Sequence, residues 1–369
     1  MRSGEIYSSR VQDLTRSLTK RRIEGVLLMP GPNMRYFLGF HTKSWERLTL
    51  AVLPTRSLVV PTLDYEKAKS LSAARQVFHY SDEAGPKEAL EEALGDLTTT
   101  IGSHGVEREF PLWISELLRD VAPGLTLTNV SDSILGMRVV KDADELNLIR
   151  RASAAVEKGI VAAKDFLRPG VTETETMFEV ERNIIRAGAE ETAFCVVQSG
   201  ANSAMPHAEA TSKTIEKGDA VVVDAGATVE GYHADITRTF FVGEPTDRQR
   251  KIYRLVLTAQ TRAVECIQEG IPAQEVDRAA RRVIDEGGFG EYFIHRTGHG
   301  LGLEVHEPPY IRNGNSEQLR PGMVFTVEPG IYLPGKFGVR IEDNIAVKEA
   351  GYANLTRLPK NLRWSTLRA

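Results

Sequence analysis

The sequence predicts an α+β protein in two parts: a small α/β domain, then a larger domain that repeats one helix–helix–hairpin unit. Three observations lead there. Up to residue 131, short β-branched strands alternate with helical stretches. Beyond it, a long helix, a break at glycine and proline, and a second helix occur twice, offset by about 100 residues. Each repeat then runs into a hairpin pattern carrying two acids.

In chain order, residues 9–22 read as a polar helix. Gly25–Met29, within EGVLLMPGPNMRYFLGF, reads as a buried strand that stops at a Pro-Gly turn. LTLAVLP, SLVVP and Gln76–His79 read as further short strands, and Glu88–Leu94 and Leu112–Val121 as helices. This part has no paired acids and no glycine-rich phosphate loop. Its one cluster of functional residue types is His41, Trp45, Glu46 and Arg47, after Phe40. That cluster reads as a surface connection, with a gating or dimer-contact loop as the alternative. The boundary falls in SDSILGMRVVKD and divides the chain into residues 1–131 and 132–369.

Asp142 or Asp144 caps the first long helix, whose apolar stripe is Leu146, Ile149, Val156, Ile160, Ala163 and Leu167. Pro169-Gly170 ends it, and VTETETMFEVERNIIRAG makes the second helix. Strands then lead to VVVDAGATVEGYHADITRTF. The second repeat sets a helix over 247–269, a break at Gly270-Ile271-Pro272 and a helix in AQEVDRAARRVIDEGG. Its strands lead to TVEPGIYLPGKFGVRIED. An internal duplication packed about a pseudo-twofold axis accounts for helices and acids together.

Composition bounds the function. Lys and Arg total 46 against 50 Asp and Glu, a net charge of −4 with both signs dispersed. Nothing here resembles the basic footprint of a nucleic-acid binder. Cys195 and Cys266 form no CxxC motif, which argues against a disulfide framework and fits a reducing compartment. MRSGEIYSSRVQDLTRSLTKRR contains no apolar segment of the signal-peptide kind, and no run is long enough to span a membrane. The expectation is a soluble cytoplasmic protein with neither nucleic-acid nor membrane partners.

Asp224 and Asp235 lie equidistant from the Val229-Glu230 step, and Glu328 and Glu342 equidistant from Gly335. A hairpin folded at either centre opposes its acids on one sheet face, with Cβ atoms roughly 5 Å apart. Like charges so placed repel, and two such pairs call for a cation. Oxygen-rich sites of this kind suit hard or borderline divalent metals. Between the hairpins, HRTGHGLGLEVHEPP offers His295, His299 and His306 as nitrogen ligands. A single hairpin Asp is commonly a turn former, and a lone His commonly a satisfied core residue. The joint pattern is what points to metal. Four carboxylates and one imidazole hold two divalent ions when some carboxylates bridge.

MPHAEA, VVVDAGA, YHADITRTF, HRTGHGLGLEVHEPP, TVEPG and VRIEDN, with PNMRYFLGF nearer the N-terminus, resemble the pita-bread metallopeptidases. The likeness is strongest to their proline-specific branch, the Xaa-Pro dipeptidases (prolidases) and aminopeptidase P, and it spans essentially the whole chain. It implies a creatinase/prolidase-type N-terminal domain ahead of a pita-bread catalytic domain. It also implies five metal ligands: Asp224, Asp235, His299, Glu328 and Glu342. Asp235 serves one ion, His299 and Glu328 the other, and Asp224 and Glu342 bridge. The implied cofactor is two divalent ions per subunit, Mn, Co or Zn, which supply hydroxide near neutral pH.

On the same resemblance Glu328 accepts the nucleophile's proton, His306 hydrogen-bonds the scissile carbonyl, and His207 holds the substrate near the leaving group. Tyr232, Thr237, His295 and Arg340 are candidates for orienting the ligands. One departure is local: after the histidine of PHAEA many relatives carry a glycine. The implied partner is a proline-containing peptide, and the implied assembly a homodimer. A dipeptidase is the favoured mode. Aminopeptidase P, another exopeptidase mode such as carboxypeptidase, and a peptide- or protein-binding module without turnover are the alternatives. A dipeptidase needs a cation for the substrate carboxylate, for which Arg340, Arg47 and Lys43 are candidates.

Overall fold

A computed structural model describes residues 4–43, 46–95 and 102–368, and falls into two units, Met1–Met137 and Arg138–Ala369. Trp45 lies outside the described residues.

The first unit runs α1 (Gly4–Thr19), β1 (Ile23–Leu28), α2 (Pro32–Leu38), β2 (Leu50–Leu53), β3 (Ser57–Pro61) and α3 (Tyr65–Leu71). It continues with β4 (Gln76–Tyr80), α4 (Lys87–Leu94), β5 (Gly102–Val106), α5 (Leu112–Val121), β6 (Leu125–Asn129) and α6 (Ser131–Arg138). The strands form one sheet in the order β4-β3-β2-β1-β5-β6. The β1–β2 and β2–β3 pairs are antiparallel and the outer pairs parallel. Helix α2 was not expected from the sequence. Pro32 suits a first helical turn, and Gly39, at φ 66°, ends the helix by donating its N–H to Arg35 O. Arg47 forms a two-pronged pair with Asp82, Nε to Oδ1 at 2.7 Å and the second nitrogen to Oδ2 at 2.9 Å.

The second unit opens with α7 (Ala143–Phe166) and α8 (Glu173–Arg186). Strands β7 (Glu191–Ser199), β8 (Ala220–Val229) and β9 (Tyr232–Val242) follow. Then come α9 (Asp247–Glu265), α10 (Ala273–Glu286), β10 (Gly298–Gly300), β11 (Glu307–Ile311), β12 (Val324–Val327) and β13 (Gly330–Leu333). The chain closes with β14 (Phe337–Arg340), β15 (Asp343–Val347), β16 (Tyr352–Asn354), α11 (Leu362–Ser365) and β17 (Thr366–Leu367). Reciprocal capping boxes start α7 (Asp142 with Glu145), α8 (Thr172 with Glu175) and α9 (Thr246 with Gln249).

The duplication is visible in hydrogen bonds. The first helix break pairs with 213–215: Gly170 N donates to Ile215 O, and Ile215 N to Val171 O. The second pairs with 317–319 in the same pattern: Gly270 N donates to Leu319 O, and Leu319 N to Ile271 O. Isolated bridges Thr172↔Thr214 and Pro272↔Gln318 repeat the relation. Each half then delivers a sheet: β9-β8-β7 from the first, with the C-terminal β17 added beside β9, and β11-β10-β12-β15-β16 with the β13-β14 ribbon from the second. Helices α9 and α10 bury Ile252, Val256, Val276 and Ile284 in one core with Phe325, Val339 and Ile345. The helical faces thus form the apolar layer, and the sheets keep their other faces for polar residues.

The two acid hairpins differ in register from one another. In the second, Gly330↔Arg340 and Leu333↔Phe337 put the centre at Gly335, as the sequence suggests. In the first, Val229 pairs with Tyr232, so the turn is Glu230-Gly231 and its centre lies one step beyond the expected one. Both turn residues have positive φ (48° and 76°), the signature of the two-residue turn whose twist matches a hairpin. Asp224 therefore opposes Thr237, and Asp235 opposes Gly226. The two aspartates share a sheet face as diagonal, not direct, neighbours.

Candidate metal centre

Asp235 on β9, His299 on β10 and Glu342 before β15 are all buried and offer ligand atoms within 4.8 Å of one another. Glu328, between β12 and β13, completes the approach: His299 Nε2 lies 3.4 Å from Glu328 Oε1 and 3.6 Å from Asp235 Oδ2. Asp224 joins from β8, its Oδ2 held at 2.6 Å by Arg340. The local sequence explains the depth of His299. A Cβ on Gly298 would meet Thr326 O at 1.8 Å, and one on Gly300 would meet Pro308 O at 2.1 Å. Only glycine at both flanks lets β11 and β12 close around the histidine.

The electrostatics are unbalanced without a cation. Burial, and then Glu342, Asp224 and Glu328, push the Asp235 carboxyl well above its ordinary range. Burial, with Glu328 and Asp224, does the same to Glu342. Glu328 is raised to about 7, chiefly by burial, with Asp224 adding and Arg340 opposing. His299 goes the other way, to about 3, because burial and the neighbouring His306 disfavour its cation. Its Nδ1 lies 3.1 Å from Gly300 O, a pure acceptor, so Nδ1 carries the proton. The bare Nε2 lone pair then faces two carboxylates. Asp224 Oδ1, Asp235 Oδ1 and Glu342 Oε1 are buried with no hydrogen-bond partner among the described residues. Divalent ions fit this set: Asp235, His299 and Glu342 bring ligand atoms within 4.8 Å of one another, and no donor among the described residues satisfies the three carboxylate oxygens.

A network holds these acids in place. Thr237 donates Oγ1–H to Glu342 Oε2 at 2.6 Å and accepts from Arg340 Nε at 3.1 Å. Arg340 also donates to Tyr332 Oη at 3.0 Å. His295 Nδ1 donates to Arg296 O at 2.7 Å, which leaves its Nε2 to accept from Tyr332 Oη at 2.8 Å. Burial, then the charge of Arg340, hold His295 neutral, at about 3. Of the four residues expected to orient ligands, Thr237, His295 and Arg340 thus belong to this network. Tyr232 departs from that expectation. Its place on β9 is out of phase with Asp235 and Thr237, and its hydroxyl donates to Glu145 Oε1 at 2.6 Å.

Tyr332 escaped the sequence reading, although period-two counting from Glu328 puts it on the same ribbon face as Arg340. Thr326 was missed as well; its Oγ1 donates to Glu328 Oε1 at 3.3 Å and accepts from His299 N at 3.1 Å. Arg296 is the third omission. Its charge opposes protonation of His299 and His306 and lowers Glu328, while its guanidinium sits 4.7 Å above the Tyr310 ring.

The two remaining histidines line the rim. The exposed His306 ring packs edge-on against His299, centroids 4.1 Å apart at 84°. Burial, Arg296 and His207 together keep His306 below its ordinary pKa. His207 is exposed in a turn and lies near enough to His295 and His306 to oppose their protonation. Among the candidate cations for a substrate carboxylate, Arg340 is buried and committed to Asp224, Thr237 and Tyr332. Arg47 is committed to Asp82, and Lys43 is exposed in the first unit.

Comparison with known proteins places the chain in a family. Residues 10–140 match the model of the Creatinase/Prolidase N-terminal domain, and residues 147–349 that of Metallopeptidase family M24. The Xaa-Pro dipeptidase of Pyrococcus horikoshii is 39% identical over 360 residues, covering 97% of this chain and 99% of that protein. The probable dipeptidase PepE of Mycobacterium tuberculosis is 36% identical, covering 97% and 96%. The structure of recombinant prolidase from Thermococcus sibiricus superposes with a TM-score of 0.91 at 36% identity, covering 98% and 99%. No helix among the described residues is long and apolar enough to cross a membrane. With its two domains, its buried acid–histidine cluster and full-length relatives in hand, the chain belongs to metallopeptidase family M24, and is a metal-dependent peptidase of the pita-bread fold.

Proposed function

We propose that this protein is a dinuclear exopeptidase that hydrolyses Xaa-Pro bonds, with the Xaa-Pro dipeptide as its preferred substrate. One observation supports the dinuclear reading: Asp224, Asp235 and Glu342 each keep a buried carboxylate oxygen with no partner among the described residues, and ligand atoms of Asp235, Glu342 and His299 lie within 4.8 Å of one another. Asp224, Asp235, His299, Glu328 and Glu342 would hold two ions, Mn, Co or Zn. Such ions supply Lewis acidity and hydroxide near neutral pH.

The chain's own residues do the rest. Glu328 accepts a proton from the nucleophile and returns it to the departing imide nitrogen. Neutral His306 donates a hydrogen bond to the scissile carbonyl as charge develops there. His207 holds the substrate on the leaving-group side. Arg296 is our choice for the substrate carboxylate, since Arg340 is enclosed in the ligand network. The dipeptide preference draws on the names carried by the full-length relatives. A homodimer in the cytoplasm belongs to the same reading, where unpaired Cys195 and Cys266 are at home; light scattering checks the first part.

A substrate series tests the proposal: a Xaa-Pro dipeptide, Xaa-Pro tri- to pentapeptides, and N-blocked peptides. Fast dipeptide hydrolysis with poor turnover of the longer set is expected. Efficient release of the first residue from the longer peptides would assign aminopeptidase mode instead. Cleavage of N-blocked peptides would exclude both, and no hydrolysis of any would favour a binding module.

A further inference from the structure

His207 lies in the segment 199–211, which contains a short 3₁₀ turn (Gly200–Ala204) but no longer element. It occupies the third position of the turn Met205–Ala208, closed by Ala208 N donating to Met205 O at 3.0 Å. Pro206 stands before it, where the proline ring presets the backbone for such a turn. A single side chain spans this turn. Gln198, wholly buried near the end of β7, donates its amide to Met205 O and to Ala208 O, each at 2.7 Å. These carbonyls belong to the first and last residues of the turn, so one amide fixes the span that His207 crosses.

The clamp has a cost that simple packing would not incur. Gln198 Oε1 is buried without a partner among the described residues, whereas an apolar side chain of the same length would fill the space with no unsatisfied atom. The rest of the segment is tied down as firmly. Glu173, fully buried, accepts from Ser199 N and Oγ at 2.7 and 2.8 Å, and from Thr211 N and Oγ1 at 3.0 and 2.6 Å. Both ends of the segment therefore meet on one carboxylate. Its middle is joined to β14, where Gly338 N donates to Ser203 Oγ at 2.9 Å. Arg340 stands on the same strand, so the segment is referenced to the acid cluster itself.

We propose that Gln198 is a positioning residue that sets His207 against the metal centre by holding both ends of its turn. The inference rests on the role given to His207 above. Gln198→Met keeps the length and removes both donors. Gln198→Glu keeps the shape and offers at most one proton to the two carbonyls, and serves if the first variant does not fold. The measurements are kcat and KM on a Xaa-Pro dipeptide, metal content, and the His207 imidazole resonance in protein made with isotope-labelled histidine, assigned with His207→Ala. Gln198→Met should lower kcat on the order of 10-fold or more with metal content unchanged. It should shift or broaden the His207 resonance, and should change kcat less than about 2-fold when added to His207→Ala, because its effect passes through that residue. An unmoved His207 resonance, or a full loss of kcat in the His207→Ala background, would overturn the proposal. Wild-type kcat in His207→Ala alone would instead overturn the role of His207, and the resonance would then decide the clamp by itself.

Discussion

Glu328 and Glu342 face each other across a gap in one continuous hairpin. The β12–β15 ladder ends at Val327↔Asp343 and the β13–β14 ribbon begins at Gly330↔Arg340, and the two share one register. The glutamates are thus opposed but not paired with each other. Their backbones bond elsewhere: Glu342 N donates to Thr237 O, and Glu328 N to Thr297 O. One bond draws the hairpin to the aspartate-bearing β9, and the other to the segment leading to His299. The break that separates the ladders is what brings the two halves of the duplication to a common site.

Removing a ligand charge should remove metal. Asp235→Asn and Glu342→Gln are each expected to lose at least one ion and nearly all turnover while keeping the fold. Metal analysis beside circular dichroism checks this, and wild-type metal content with wild-type turnover in either variant would contradict the ligand assignment.

The same charges fix a pH dependence. In the metal-free protein Asp235 and Glu342 keep their protons well above the ordinary carboxyl range, and Glu328 to about 7. Above about pH 7 the site histidines His295, His299 and His306, whose pKa values are lowered, contribute no further slope, so these acids dominate. The folded state then binds more protons than the unfolded one, and stability falls as pH rises through their folded pKa values. The metal-free Tm should therefore drop as pH rises above about 7, and added divalent ions should restore more stability at the higher pH. Metal-free Glu342→Gln should show a shallower drop. A metal-free Tm that rises over this range would contradict the account.

Thr237→Val removes the hydroxyl that bonds Glu342 and accepts from Arg340. Outer partners of this kind are worth ~10–100-fold in metal affinity or activity. Titration of the metal-free variant should show that loss, and at equal metal concentration its Tm should fall with it. Unaltered affinity and turnover would make the network structural only.

The histidines should separate by phenotype. His299→Ala should lose metal, whereas His306→Ala and His207→Ala should retain it and lose ~10²-fold or more in turnover. The reverse pattern would exchange their roles.

Arg296→Met should raise KM for a Xaa-Pro dipeptide on the order of 10-fold, with little change for the corresponding C-terminal amide. Equal effects on both substrates would remove Arg296 from carboxylate recognition.

The glutamate hairpin could be read from the sequence because Gly335 marks a turn whose symmetry the chain keeps, even across the ladder break. The aspartate hairpin was centred one step early. Gly231 lay in view, but Glu230 adopting positive φ beside it could not be inferred from residue type. Helices α7 to α10 were legible from capping residues and glycine–proline breaks, although α9 ends at Glu265, short of the expected residue 269. Tyr232 was named among the candidates for orienting the ligands, yet strand alternation turns it to the other face from Asp235. Tyr332, Thr326 and Arg296 were missed because their roles depend on distances between strands far apart in the chain. Gln198 and Glu173 belong to the same class: buried polar residues whose partners only the fold assembles.

Anomalous scattering from crystals grown with Mn²⁺ tests the central claim most directly. Two peaks ~3.5–4 Å apart are expected among Asp224, Asp235, His299, Glu328 and Glu342, with His299 Nε2 bound to only one of them. A single peak, or peaks outside this cluster in crystals of protein that hydrolyses Xaa-Pro substrates, would contradict it.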